Sequence, residues 1–190
     1  MNRLPQQILT ADALRIVAAL QALDTKITEK TSIIIYGSAA VSLYLSDEPG
    51  IDPAYTDDID IHTLKDMPQE FKNFILEDGL HIQTTPIDMW LIHPLWKKNV
   101  INFNHLVQTK QIIVDLISPR DLILTKLERY NDRDDFDCNR IYKRYISDKK
   151  TFLEDAHTAF AESVGISSSR QEEILRIIED LMEEADEDNL

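Results

Sequence analysis

Hydrophobic and polar positions divide the chain into a mixed first two-thirds and a helical last third. Residues 10–24 repeat apolar positions at helical spacing, with Leu14, Val17, Ala18 and Leu20 on one side and Thr10 as N-cap. Residues 32–36 are a short β-branched run and predict a buried strand. Gly37 and Ser38 end that run, and residues 39–45 read as a helix leaving it. Residues 46–56 carry two prolines and one glycine and predict a loop. Strict alternation at 58–62 predicts a second strand. Residues 68–77 read as a helix stopped by Gly79, and 87–92 as a third strand. Residues 94–110 suggest a short helix and then a strand, and 111–117 a further strand.

Ser118, Pro119 and Asp121 make a helix start. Serine caps, proline suits the first turn, and an acid favours the positive end of the helix dipole. That helix runs to about Tyr130, and three more follow near 135–146, 151–163 and 169–186. The expected fold class is α+β: a mixed β-sheet flanked by helices, with a helical C-terminal part. The expected boundary puts the sheet and the N-terminal helix in residues 1–130. A helical part ending in an acidic tail occupies 131–190.

Composition narrows the class. Of the 190 residues 43% are hydrophobic, enough for a real core. The lone cysteine, Cys138, cannot form an internal disulfide, which fits a reducing cytoplasm. No apolar run is long enough to span a membrane. Asp12 and Arg15 interrupt the apolar core that a signal peptide needs. The net charge of −14 argues against tight, sequence-independent nucleic-acid binding. Much of it lies in residues 171–190, where nine acids face one base. Such a tail reads as a solvated helix end, or else as a docking segment for a basic partner or a nucleic-acid mimic.

The candidate chemistry sits at Asp58 and Asp60. Strand residues two apart share a face, so the two carboxylates project together while Ile59 and Ile61 enter the core. Adjacent ionised carboxylates repel, and a divalent cation such as Mg²⁺ or Mn²⁺ relieves that cost. A bare pair of this kind also occurs on ordinary exposed strands. Upstream, however, a strand breaks at Gly37-Ser38 and enters a helix. That geometry offers backbone N–H groups, a hydroxyl and a helix N-terminus to an anion.

A glycine-serine turn followed by a D-x-D strand resembles the signature of the nucleotidyltransferase superfamily, carried here by Gly37, Ser38, Asp58 and Asp60. Nineteen residues separate Ser38 from Asp58, longer than the compact form, and the proline-containing loop supplies the extra length. Downstream, Ser118-Pro119-Arg120-Asp121-Leu122, then Lys126-Leu127, Arg133-Asp134 and Asp137, resemble a stretch of AbiEii-like toxins and their relatives. The two stretches span roughly residues 30–140.

The resemblance implies a nucleotidyltransferase-like sheet and a magnesium-dependent transferase. It would move a nucleoside monophosphate from an NTP to a hydroxyl on RNA (tRNA among them), protein or a small molecule. It implies Asp58 and Asp60 as metal ligands and Gly37 and Ser38 as the phosphate cradle. It also implies Lys126 on the nucleotide phosphates and Asp137 close to the site. Arg133 is suited to bidentate phosphate contact. A structural ion-pair network is the other reading of Arg133, Asp134 and Asp137. A third carboxylate is expected on a neighbouring strand, with Asp88 favoured by chain order over Asp115. Its role would be to bind metal and help deprotonate the acceptor. Resemblance further implies the toxin of a toxin–antitoxin pair, with an antitoxin protein as partner and no membrane. The alternative is a catalytically inactive binding or interaction protein that keeps the fold.

Overall fold

The computed structural model describes residues 9–48, 56–63, 69–72, 74–84, 86–87, 90–163 and 165–187. The fold is mixed α/β, an open five-stranded mixed sheet flanked by helices and followed by C-terminal helices. Two compact units make up the chain. One is Met1–Thr85 with Ile101–Leu116, and the other is Pro86–Val100 with Ile117–Leu190.

The first unit holds α1 (Ala11–Asp24), β1 (Thr31–Ile35), α2 (Gly37–Tyr44), β2 (Asp58–Thr63) and α3 (Gln69–Lys72). It continues with β3 (His81–Thr84), β4 (Ile101–Asn102), α4 (Asn104–Val107) and β5 (Ile112–Leu116). The strand order is β3-β2-β1-β5-β4. β1 is antiparallel to β2 and parallel to β5, β2 is parallel to β3, and β4 is antiparallel to β5.

Alternation settles the register. Ile33, Ile35, Ile59, Ile61, Val114 and Leu116 are fully buried on one face. Burial of each such side chain stabilises the fold by about 1.5–3 kcal/mol. Asp58, Asp60 and His62 lie half-buried on the other face. A slip of one residue in β2 would bury both aspartates and expose both isoleucines, so the core fixes where the carboxylates point.

The ends of α1 are specified locally and at long range. The Thr10 hydroxyl accepts the Ala13 N–H at 3.4 Å as N-cap. At the other end the Asp24 carboxylate accepts the N–H groups of Lys110, Gln111 and Ile112 at 2.9, 2.7 and 2.8 Å, pinning the start of β5. Desolvation pushes the Asp24 pKa up, but these three donors outweigh it and hold the group below the usual carboxylate range. The buried face of α1 is Ala13, Ile16, Val17, Leu20 and Leu23, whereas Leu14 and Ala18 are exposed. The helical period is the expected one, and the buried face lies one position earlier.

The second unit contains a 3-10 turn (Trp96–Lys98), α5 (Pro119–Leu127), α6 (Asp132–Tyr145), α7 (Lys149–Glu162) and α8 (Ser168–Glu187). At the start of α5 the Ser118 hydroxyl accepts the Asp121 N–H at 3.1 Å and donates to its carboxylate at 2.6 Å. At its end Arg170 donates to the carbonyls of Leu127 and Glu128 at 2.8 and 2.7 Å, satisfying acceptors that a helix terminus leaves open. The amphipathic α8 buries Ile174, Ile178, Leu181 and Ala185 and keeps its acids outward. α5 belongs with these helices in the second unit.

The strand expected at 87–92 is not formed by the described residues there, 87 and 90–92. The Trp90 N–H donates to the Ile87 carbonyl at 3.0 Å, closing a turn, and donors further on are taken by side chains. The Leu91 N–H donates to Glu128 at 2.7 Å, and the His93 N–H donates to Asp121 at 3.2 Å. The strand beside β2 is β3. The helix expected at 68–77 is the short α3, and the Pro49- and Pro53-containing part of the expected loop lies outside the described residues.

Candidate functional site

The glycine-serine turn and the aspartate strand meet. Tyr36, the last residue before α2, donates its N–H to the Asp60 carbonyl at 3.1 Å, extending the β1–β2 ladder by one rung. Gly37 then turns the chain with φ of 64°, a left-handed conformation that costs any side chain-bearing residue. A β-carbon on Gly37 would lie 2.5 Å from Oδ2 of Asp60. A side chain there would have to push the Asp60 carboxylate aside. Ser38, the second residue of α2, is half-buried beside it.

Both constraints act on the same residue, and their effects add. Gly37→Ala is expected to lower the unfolding free energy by about 1–2 kcal/mol from backbone strain alone. It should also displace the Asp60 carboxylate. Urea unfolding monitored by circular dichroism checks this. An unchanged midpoint would mean that the close approach imposes no constraint.

Asp58 begins β2. The Thr56 hydroxyl lies 2.9 Å from its carbonyl oxygen and 3.4 Å from its Oδ1. On β3, His81 is in register with Asp58 and Gln83 with Asp60, so an imidazole and an amide share the carboxylates' face. Asp115 lies on that face too. It is in register with Ile34, which is in register with His62. Asn102 donates to the Asp115 carboxylate at 2.9 Å. β1 separates Asp115 from the aspartate pair. Among the described residues no three His, Cys, Asp or Glu side chains gather closely enough to hold a metal ion. Asp88 lies outside the described residues.

The donor chemistry of the pair suits a hard divalent cation. Asp58 and Asp60 offer carboxylate oxygens on one face, and the α2 N-terminus next to Asp60 offers N–H groups to an anion that would share the cation.

In the second unit Lys126 is buried, 3% exposed, with its ammonium 3.0 Å from Asp134 and 2.8 Å from Asp137. Arg129 adds two hydrogen bonds to Asp134 at 3.0 and 3.2 Å. Asn131 caps α6 by accepting the N–H groups of Arg133 and Asp134 at 3.0 and 3.1 Å. The arrangement is an ion-pair network joining α5 to the first turns of α6. Arg133 is exposed on the first turn of α6. Cys138 is buried next to this network, and burial pushes its thiol well above the ordinary range, with Lys126 opposing. Such a thiol is unreactive.

Sequence reasoning passed over Thr56, Arg15, His81 and Gln83. The two β3 residues carry no motif, and strand pairing alone brings them to the face. Arg15 reaches Thr56 across 41 residues, a separation with no local signature.

No family model, no curated protein and no solved structure matches this chain. No helix among the described residues is long and apolar enough to cross a membrane.

Proposed function

We propose that the chain is a metal-dependent nucleotidyltransferase that moves a nucleoside monophosphate from an NTP to an acceptor hydroxyl. One observation carries this reading: the Gly37 backbone, at a positive φ that favours glycine, is packed against the Asp60 carboxylate, with a β-carbon there falling 2.5 Å from Oδ2. A phosphate-binding turn and a metal-binding strand have reason to be built as one site when metal and phosphate are bound together.

A divalent cation bound there supplies neutralisation of the carboxylates and of the polyphosphate. Asp58 and Asp60 hold it. The N–H groups at the start of α2 and the Ser38 hydroxyl hold phosphate oxygens. The acceptor oxygen bonds to the α-phosphorus as the bond to the β-phosphate bridge breaks, and pyrophosphate leaves. The acceptor proton passes to a third carboxylate, with Asp88 and Asp115 as candidates. The resemblance at residues 118–137 extends the proposal to a cytoplasmic toxin with an RNA acceptor and an antitoxin partner. It also implies Lys126, Arg133 and Asp137 as nucleotide-site residues. For Lys126 a phosphate contact would require leaving two carboxylates that already hold it. A structural role for this lysine is therefore favoured, and the proposal rests on the first unit.

NTP is expected to raise the melting temperature only when Mg²⁺ or Mn²⁺ is present, because the paired acids repel a polyphosphate without a cation. The double variant Asp58→Ala, Asp60→Ala should lose that shift and remain folded, since half-exposed acids add little to the core. Equal shifts in the wild type and the double variant, measured by thermal scanning, would remove the site from these residues.

A further inference from the structure

Asp58 sits where β2 has least support. β1 pairs with residues 61–63 of β2, and Tyr36 adds a bond at Asp60, but the ladder with β1 stops there. On the other side β3 begins at His81, whose N–H donates to the Asp57 carbonyl at 3.2 Å. The position of the Asp58 side chain therefore depends on what holds the residues just before it.

One residue of α1, Arg15, reaches that place. Arg15 donates from Nη1 to the Thr56 carbonyl at 2.5 Å, with its side chain 14% exposed. The same guanidinium pairs with Asp12 at 3.7 Å and with Asp78, just ahead of β3. Its hydrogen bond, with that of the Leu80 N–H, holds the Asp78 carboxyl below the usual range. Thr56 is 3% exposed, and its hydroxyl faces both the carbonyl and the carboxylate of Asp58. Asp12, also buried, accepts the Ser42 hydroxyl at 2.6 Å. One turn of α1 thus grips α2, which starts at Gly37, and the approach to β2, which starts at Asp58.

We infer that Arg15 and Thr56 are positioning residues for the metal-binding carboxylate Asp58, an inference that rests on the reading of Asp58 and Asp60 as metal ligands. Arg15 fixes the Thr56 backbone with a charged, nearly enclosed fork. Thr56 then gives its single hydroxyl proton to the Asp58 carbonyl, the nearer acceptor at 2.9 Å, and so fixes the backbone from which the carboxylate projects, with Oδ1 at 3.4 Å. A carboxylate offers about four lone-pair positions, and a bond made to the carbonyl leaves them for a cation. Restraint of this kind raises metal affinity by lowering what must be ordered on binding, as partners of metal ligands do elsewhere.

The test is Mn²⁺ affinity in the presence of NTP, read from the electron paramagnetic resonance of free Mn²⁺, with unfolding in metal-free buffer alongside. Thr56→Val keeps the shape and loses the hydroxyl. It is expected to weaken Mn²⁺ binding about tenfold or more, in the range found for partners of metal ligands. Thr56→Ser restores the hydroxyl and should stay within about twofold of wild type, an outcome that a packing role for the threonine methyl would not produce. Should Thr56→Val not fold, Arg15→Lys decides, because it keeps the charge and loses the fork; weaker Mn²⁺ binding is expected there too. A folded Thr56→Val protein, or failing that Arg15→Lys, with wild-type Mn²⁺ affinity would overturn the relay alone. A wild type that holds no Mn²⁺ would overturn the metal-site reading and the relay together.

Discussion

Lys126→Met should lower the unfolding free energy by about 3–5 kcal/mol, the cost of stranding buried charge. The wild-type ammonium is enclosed with Asp134 and Asp137, themselves 0% and 2% exposed. Removing it leaves two buried carboxylates with one exposed guanidinium, Arg129, on Asp134 only. Methionine nearly conserves the length of the side chain, so lost packing contributes little. Urea unfolding at neutral pH measures the effect. A second outcome is equally informative. A Lys126→Met protein as stable as wild type, but at least about a hundredfold slower in label transfer, would put Lys126 on the departing pyrophosphate. It would then be the resemblance, and not the buried pair, that describes this lysine.

In the sequence Lys126 has apolar neighbours, Leu124 and Leu127, which set it apart from a solvated lysine. What the sequence does not reveal is where the charge goes. The partners are eight and eleven residues on, in the next helix, and they become neighbours only through the packing of α5 on α6. The same division between local and distant information runs through the fold. The Thr10 and Ser118 caps, the alternation of β2 and the glycine-serine break are local chemistry and were legible. Residues 87–92 look like a strand by composition, yet the Leu91 N–H finds Glu128 and the following His93 N–H finds Asp121, which no window of ten residues contains. β3 carries a single buried apolar side chain, Ile82, and is a strand because β2 lies beside it.

The candidate site follows this rule as well. Asp58 and Asp60 announce themselves through spacing, and their shared face follows from the isoleucines between and after them. The closeness of Gly37 to Asp60 needs the antiparallel register of β1 and β2. The grip of Arg15 on Thr56 needs α1 to be folded and docked. Asp115 reaches the carboxylates' face only through two successive pairings, Asp115 with Ile34 and Ile34 with His62. Chain order, which pointed to Asp88, carries no such information.

Label transfer from an α-labelled NTP tests the enzyme reading at its centre. The wild type, with Mg²⁺ and total cellular RNA, protein or small-molecule acceptors, should transfer label to one of them. Asp58→Asn with Asp60→Asn keeps the size of both side chains and removes both charges. It should cut transfer by at least about a hundredfold, equivalent to about 2.7 kcal/mol of barrier, with the unfolding midpoint unchanged. The charges are needed more as pyrophosphate departs than in the bound substrate, so the loss should appear in the rate more than in NTP binding. A wild type that binds NTP and labels no acceptor, or a double variant that labels as fast as wild type, would contradict the account.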